Sequence, residues 1–276
     1  MANSGQARSA RPFRFGVTVP LTADLATWRD QVRRVADLGY STVLMPDFPQ
    51  LQPAPGAALA LAAALTDVHV GTWVYAAPMR PPWTTAWEAH SLSILTEGRF
   101  EMGIGAGRPG IEDELFERGM PVASANERLA QVRETVTRLR ELDGPELHTP
   151  VVMAVHGPRA QALAADLADT VTFALMPDET RAEAEQLVGG FSASRDVELS
   201  QHVAVVGNAV APFMAPPDTD PSLLRSLDSL AILPDDPHAA AEEIQRRRDE
   251  LGLSYFVFGA EVSDSLASVV SDLAGT

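Results

Sequence analysis

Two residue types are missing from this chain of 276 residues: cysteine and lysine. Without cysteine there is no disulfide, no thiolate nucleophile and no thiolate metal site. Without lysine there is no amine for a Schiff base, which removes lysine-dependent aldolases and pyridoxal-phosphate enzymes. The 21 basic residues are therefore all arginine, set against 37 acidic ones, and the formal charge is −16. So large a negative excess repels nucleic-acid phosphates and excludes that class of partner. No apolar run approaches the roughly 20 residues that span a bilayer. The opening "MANSGQARSARP" also lacks the apolar stretch of a signal peptide. The histidines show no H-x-x-x-H or similar clustering, so no metal site is expected. These absences predict a cytoplasmic protein with no membrane partner. An arginine-only, alanine-rich composition is that of a high-GC bacterial genome.

What is present is an alternation. Short β-rich runs at 13–19, 40–45, 68–75, 99–104, 150–155, 169–175, 202–210 and 254–259 are each followed by a helical stretch. The longest of these, 112–142, is broken at Pro121, and the run "RRR" at 246–248 reads as a solvated helix face. Strands alternating with helices pair in parallel, and apolar ones such as "VVMAV" are buried on both faces. Eight such units at this length predict an α/β fold, a single closed (β/α)8 TIM barrel, with a doubly wound open sheet as the alternative. No shift in composition marks a second domain. The expectation is a disordered tail over 1–10 and one barrel domain over 11–276.

Residues 99–110, "RFEMGIGAGRPG", contain a literal G-x-G-x-x-G. A dinucleotide fingerprint belongs after the first strand, and a second strand should end on an acid about 20 residues later. Here the glycines follow the fourth strand, and the stretch beyond them is polar and interrupted by proline. Pro109 also removes an amide that a phosphate turn would use. The dinucleotide reading fails. In a barrel the same segment lies at the C-terminal face, where its glycines let a flat ring approach the backbone.

Five stretches in order, "RPFRFGV" (11–17), "ADLGYSTVLMPD" (36–47), "VGTWVYAAPMRPP" (70–82), "LTEGRFEMGIGAG" (95–107) and "ELGLSYFVF" (250–258), resemble the bacterial luciferase-like family. The resemblance is to its coenzyme F420-dependent branch, common in actinobacteria. It implies a (β/α)8 barrel with a deazaflavin or flavin in the C-terminal mouth, and hydride transfer to or from an organic substrate. It implies that Gly103, Gly105, Ala106 and Gly107 border the cofactor, and that a cis peptide joins Trp73 and Val74 behind the ring. "VHGPRAQALAADLADTV" (155–171) resembles the family's phosphate-binding turn, which would use His156, Gly157, Pro158 and Arg159. Amides at a helix start favour an anion, so the physics agrees. The resemblance also implies self-association through the barrel's helices, giving a homo-oligomer.

The chain departs from the family at chosen places. Relatives read Asp-His after the second strand, where this chain has Asp47-Phe48. Some carry glutamate after the fourth strand, where this chain has Arg108. The Gly-Gly before the phosphate turn is Ala154-Val155. The insertion between the fourth helix and the fifth strand is shortened to little more than "DGPELHTP". Asp47 and His156 remain as candidate catalytic residues. Asp47 either bonds the cofactor ring or caps the next turn. His156 is either a proton donor at the mouth or a helix-capping or core histidine. His90, in mid-helix, reads as structural. Trp73 and Tyr75 either line the ring or belong to the core, and Arg80 either binds an anion or pairs with an acid. The Pro-rich 212–221 is either a lid or a disordered loop. The expected function is an F420-dependent oxidoreductase acting on a small-molecule substrate. The alternatives are an FMN-dependent monooxygenase and a catalytically silent barrel that binds a cofactor or partner.

Overall fold

The chain folds from short strands buried on both faces and from helices that carry their own start signals. After β1 (Arg14–Thr18), α1 (Leu25–Asp37) begins at Asp24, whose side chain accepts from the amides of Ala26 and Thr27, satisfying donors that the first turn leaves open. Then come β2 (Thr42–Met45), α2 (Pro55–Leu65), β3 (His69–Thr72), β4 (Tyr75–Ala76) and α3 (Pro82–Leu95). Both helices open on a proline, whose fixed φ suits that position. β5 (Phe100–Gly105) leads into α4 (Ile111–Glu117) and α5 (Ala125–Asp143), and a Ser124–Glu127 capping box restarts the helix after Pro121. Residues 144–150 alone join α5 to β6 (Val151–Val155), which is followed by α6 (Pro158–Leu167), β7 (Thr170–Phe173), α7 (Arg181–Gly189) and β8 (Glu198–His202). The remainder is β9 (Val205–Val206), β10 (Ala209–Val210), α8 (Pro221–Ser226), β11 (Ile232–Leu233), α9 (Pro237–Leu251), β12 (Leu253–Gly259) and α10 (Ala267–Leu273). The computed structural model describes residues 11–176 and 179–276, so the tail expected at 1–10 lies outside the described residues.

The main sheet runs in the order β3-β2-β1-β12-β8-β7-β6-β5-β4, and β3 also pairs with β5, which closes the circle. Because β3 and β4 both pair with β5 and share one strand position, the nine segments make eight staves, all parallel. This is the (β/α)8 TIM barrel the alternation predicts. Outward-facing residues of the strands form the main core with the helices. Phe15, for example, stacks on Phe258 at 6.1 Å. No helix among the described residues is long and apolar enough to cross a membrane.

Three expectations change. The third strand does not run unbroken over 68–75: it stops at Thr72 and resumes at Tyr75, and the Trp73–Val74 peptide between is cis, as the resemblance implied. Gly103 lies against this break, where a Cβ would stand 1.9 Å from the Thr72 carbonyl oxygen, so only glycine fits.

The seventh stave is β8, not 202–210. Its "ELSQH" looks too polar for a buried strand because Glu198 and Ser200 face the barrel interior. The apolar "VAVV" that resembles a strand instead builds a small separate sheet, β10-β9-β11. The "RRR" face is not wholly solvated either. Arg247 is buried and donates to the carbonyls of Leu230 (2.7 Å) and Ile232 (2.8 Å) and to Gln201 (3.2 Å). Burial pulls its pKa down to about 10 against the opposing pull of Glu243.

Candidate active site

The inside of the barrel changes character along its axis. At the N-terminal ends of the strands Arg14 projects inward from β1. Its Nε donates to both oxygens of Glu198 at 3.1 and 3.0 Å, its Nη2 to Glu198 Oε2 at 2.8 Å and its Nη1 to Glu101 Oε2 at 2.9 Å. The Tyr255 hydroxyl donates to Glu101 Oε1 at 2.8 Å and the Thr170 hydroxyl to Glu198 Oε2 at 2.9 Å. The guanidinium carbon lies 3.6 Å from the centre of the Tyr255 ring. Burial pushes the Arg14 pKa down, but the Glu101 and Glu198 charges outweigh it and the net shift is upward. Burial and then the Glu101 charge push Tyr255 well up, which keeps it a phenol.

Above this base the walls diverge. Leu44, Tyr255 and Val257 form a buried apolar cluster on which Trp73 and Met214 pack, and the Trp73 ring meets Tyr255 edge-on at 6.1 Å. Beside Tyr255 on the neighbouring strand, Ser200 of β8 is in register with it and with Thr172 of β7. The hydroxyls of Thr172 and Ser200 are buried with no hydrogen-bond partner among the described residues. Two residues further along β8, on the same face, His202 stands half-buried at the mouth. Burial is the sole influence on its pKa, which falls to about 4, so the imidazole is neutral at physiological pH.

The Pro-rich segment after β10 covers this mouth. The Met214 sulfur accepts from the Thr18 hydroxyl at 3.3 Å, and the Phe213 ring packs against Phe48 at 5.9 Å. The Arg108 guanidinium lies 4.5 Å from the Phe48 ring centre. Phe48 and Arg108, the two departures noted in the sequence, therefore touch each other, and with Phe213 they tie three loops together across the opening.

Asp47 is buried at the end of β2. It accepts from Arg80 Nε and Nη2, both at 2.9 Å, and from the Ala76 amide at 3.2 Å, while Arg80 Nη1 reaches Glu88 at 3.1 Å. Its carboxylate joins the strand end to the approach to α3. His156 follows β6, and its side chain is 55% exposed, with Nε2 3.0 Å from Glu179 Oε1. The two candidate catalytic residues are thus committed to different partners and are not brought together. His90 pairs with Asp143 at 2.8 Å.

Trp73, Val74, Gly103 and Gly105 do converge. A Cβ at Gly105 would meet Val74 and Ala154 at 3.3 Å, so the glycine row makes room for the broken strand beside it. The Ala106 carbonyl accepts from Arg128 Nε at 2.8 Å, and Gly107 turns at φ 96°. Gly157 caps α6 without a side-chain bond, space is open where its Cβ would be, Pro158 takes the first helical position, and Arg159 bonds Asn126. Thr172, Ser200 and His202 are the site-lining residues that the sequence did not single out. The signal was available: reading 198–202 as a strand with a polar inner face puts His202 inward at its end.

Residues 8–218 match the family described as luciferase-like monooxygenase. The curated 4-hydroxyprotoasukamycin monooxygenase of Streptomyces nodosus subsp. asukaensis is 28% identical over 154 residues, a stretch that covers 53% of this chain and 38% of that protein's length. The coenzyme F420-dependent tetrahydromethanopterin reductase from Methanopyrus kandleri has the same fold, with a TM-score of 0.72, 14% identity, and coverage of 95% of this chain and 98% of that one. So does the oxygenating constituent of 3,6-diketocamphane monooxygenase from Pseudomonas putida, solved in complex with FMN. Its TM-score is 0.65 at 14% identity, covering 96% and 98%.

Proposed function

Because the chain belongs to the luciferase-like monooxygenase family, we propose that it is an oxidoreductase whose barrel mouth holds coenzyme F420 and passes hydride between that deazaflavin and a small or medium organic substrate. The observation that carries the reading is the apolar shelf of Leu44, Val257 and Trp73 above the Tyr255 ring, at the face where barrels of this kind collect their active sites. Leu44 and Val257 are already covered by Trp73 and Met214, so a flat ring would take the place of the Met214 side chain there and remove its own apolar face from water, at roughly 25 cal/mol per Å².

A second feature fits the group's anionic part. The start of α6 has no side-chain cap and opens onto free space at Gly157, and its first-turn amides and dipole favour a phosphate. His156, Gly157, Pro158 and Arg159 would hold that phosphate. Trp73, Val74, Gly103, Gly105, Ala106 and Gly107 would border the ring. When bound, F420 supplies the carbon that gives or takes the hydride. The chain supplies position through the shelf and dryness through the cover of Phe213 and Met214.

F420 is preferred to FMN on the sequence stretches that resemble the F420-dependent branch. The rim does not separate the two: Phe48 and Arg108 stand where that resemblance implies proton-transfer groups, and Asp47 and His156 are bound to Arg80 and Glu179. The second reading, FMN-dependent monooxygenation, draws on the Streptomyces relative, which is a monooxygenase.

Fluorescence titration of the purified chain with F420 and with FMN tests both. The expected result is tighter binding of F420, weakened about tenfold in Arg159→Ala, which corresponds to ~1.4 kcal/mol, with the melting temperature unchanged. Preference for FMN supports the monooxygenase reading. Binding of neither returns the chain to a catalytically silent barrel.

A further inference from the structure

One side of the mouth carries polar groups that no described residue bonds. Period-2 alternation puts Glu198, Ser200 and His202 on one face of β8. That face is the inner one, because Glu198 meets Arg14 of β1, which also holds Glu101 of β5. β7 does the same with Thr170, bonded to Glu198, and Thr172, in register with Ser200. The result is a column. Thr170 and Glu198 are satisfied at its foot, Thr172 and Ser200 are buried without partners in its middle, and a neutral imidazole stands at its top. An unpartnered buried hydroxyl is unfavourable. Two side by side beneath an imidazole are donors and acceptors held for a group outside the protein.

We infer that His202, backed by Ser200 and Thr172, is a catalytic residue that receives the reacting oxygen of a neutral alcohol or carbonyl substrate. The inference rests on the deazaflavin reading given above. Leu44 of β2 and Trp73 after β3 stand across the barrel from β7 and β8 and are apolar, so the ring and carbon skeleton have that side of the mouth, while Val257 lies beside His202 in register and the polar atom of the substrate meets the imidazole next to it. The substrate is uncharged because the rim offers it no free countercharge. Arg80 is engaged by Asp47 and Glu88, Arg108 by Glu114, and Arg128 by Glu112 and the Ala106 carbonyl, while Arg159 serves the cofactor phosphate.

In the direction of oxidation, the substrate C–H bond breaks and its hydride passes with both electrons to the oxidised deazaflavin. The O–H bond breaks, its proton passes to the unprotonated imidazole nitrogen, and the C=O bond forms. The imidazole then releases that proton to water at the half-buried mouth. Reduction is the same path reversed.

The test uses the full chain, labelled with nitrogen-15 histidine and loaded with F420. The His202 ring resonances are assigned by their loss in His202→Gln, or in His202→Phe if the first variant does not fold. Cyclohexanol and cyclohexanone are the neutral probes and cyclohexanecarboxylate the anionic one. A saturable shift of the His202 resonances by the neutral probes alone is expected. F420 reduction by cyclohexanol should fall about a hundredfold in His202→Gln, the usual scale for a general base, with F420 affinity within about threefold of wild type.

Resonances unmoved by neutral probes in protein that binds F420, or an undiminished rate in His202→Gln, overturn the inference and leave the cofactor reading standing. A shift with the carboxylate instead overturns the substrate class. A chain that does not bind F420 overturns both.

Discussion

The two ends of the barrel interior use the same strands to opposite effect. At the base, each nitrogen of the Arg14 guanidinium and each oxygen of Glu101 and Glu198 has a partner. One turn of alternation higher, on β7 and β8, the hydroxyls of Thr172 and Ser200 have none among the described residues. The ladders that hold these residues are equally regular. What differs is satisfaction: the base is a closed network and the mouth is not. A charged group can be buried when its partners are built around it. At the mouth, on the inference drawn above, the open hydroxyls of Thr172 and Ser200 await the substrate.

Three substitutions press on that contrast, and the largest effect belongs to the base. Arg14→Ala leaves the carboxylates of Glu101 and Glu198 facing each other across the barrel without their cation. Urea denaturation should show a loss of about 3–5 kcal/mol, the scale for breaking a buried ion cluster. A loss under about 1 kcal/mol would mean the base is no more a folding device than an exposed pair. Next comes Gly103→Ala, which drives a methyl group onto the Thr72 carbonyl beside the mouth. It should cost about 1–3 kcal/mol as overpacking, and more than Gly105→Ala, whose nearest contacts are looser at 3.3 Å. Equal melting temperatures for the two variants would remove the close approach as the reason for Gly103. The smallest effects belong to the mouth. Thr172→Val and Ser200→Ala break no hydrogen bond, so each should stay within about 0.5 kcal/mol of wild type or gain slightly. A larger loss would reveal a partner and bring the mouth closer to the base in kind.

The barrel was legible because its outward-facing residues are apolar and regular. Phe15, Val17, Met153, Val155, Phe256 and Phe258 announce strands wherever they fall. The inner face sends no such signal. Its residues are chosen for what they meet across the barrel, so Glu198 and Ser200 look like loop residues until Arg14 is seen beside the first of them. That is why the sequence pattern puts the seventh strand one segment late and gives His202, the last residue of β8, no mark of its own.

Asp47 and Arg80 show a different limit. Asp47 reads as a ring contact or a turn cap and Arg80 as an anion site or the partner of an acid; the structure has Arg80 pair with an acid, Asp47 itself, across 33 positions that spacing along the chain does not disclose. The Phe48 and Arg108 departures were plain in the sequence, but only the fold shows that they are in contact. Arg247 was misread because two exposed-looking neighbours hid a side chain that turns inward to Leu230 and Ile232.

The Tyr255 ring, fixed by Glu101 and seated 3.6 Å from Arg14, also makes the barrel a cup rather than a pipe. Its sides are unbroken hydrogen-bonded staves, so arrivals and departures share one opening and form a queue. On the reading proposed above, a ring resting on the shelf would lie beneath any substrate and would enter first and leave last. Ordered kinetics would then follow from the architecture, with product departing before the cofactor is exchanged and excess substrate trapping the cofactor below it.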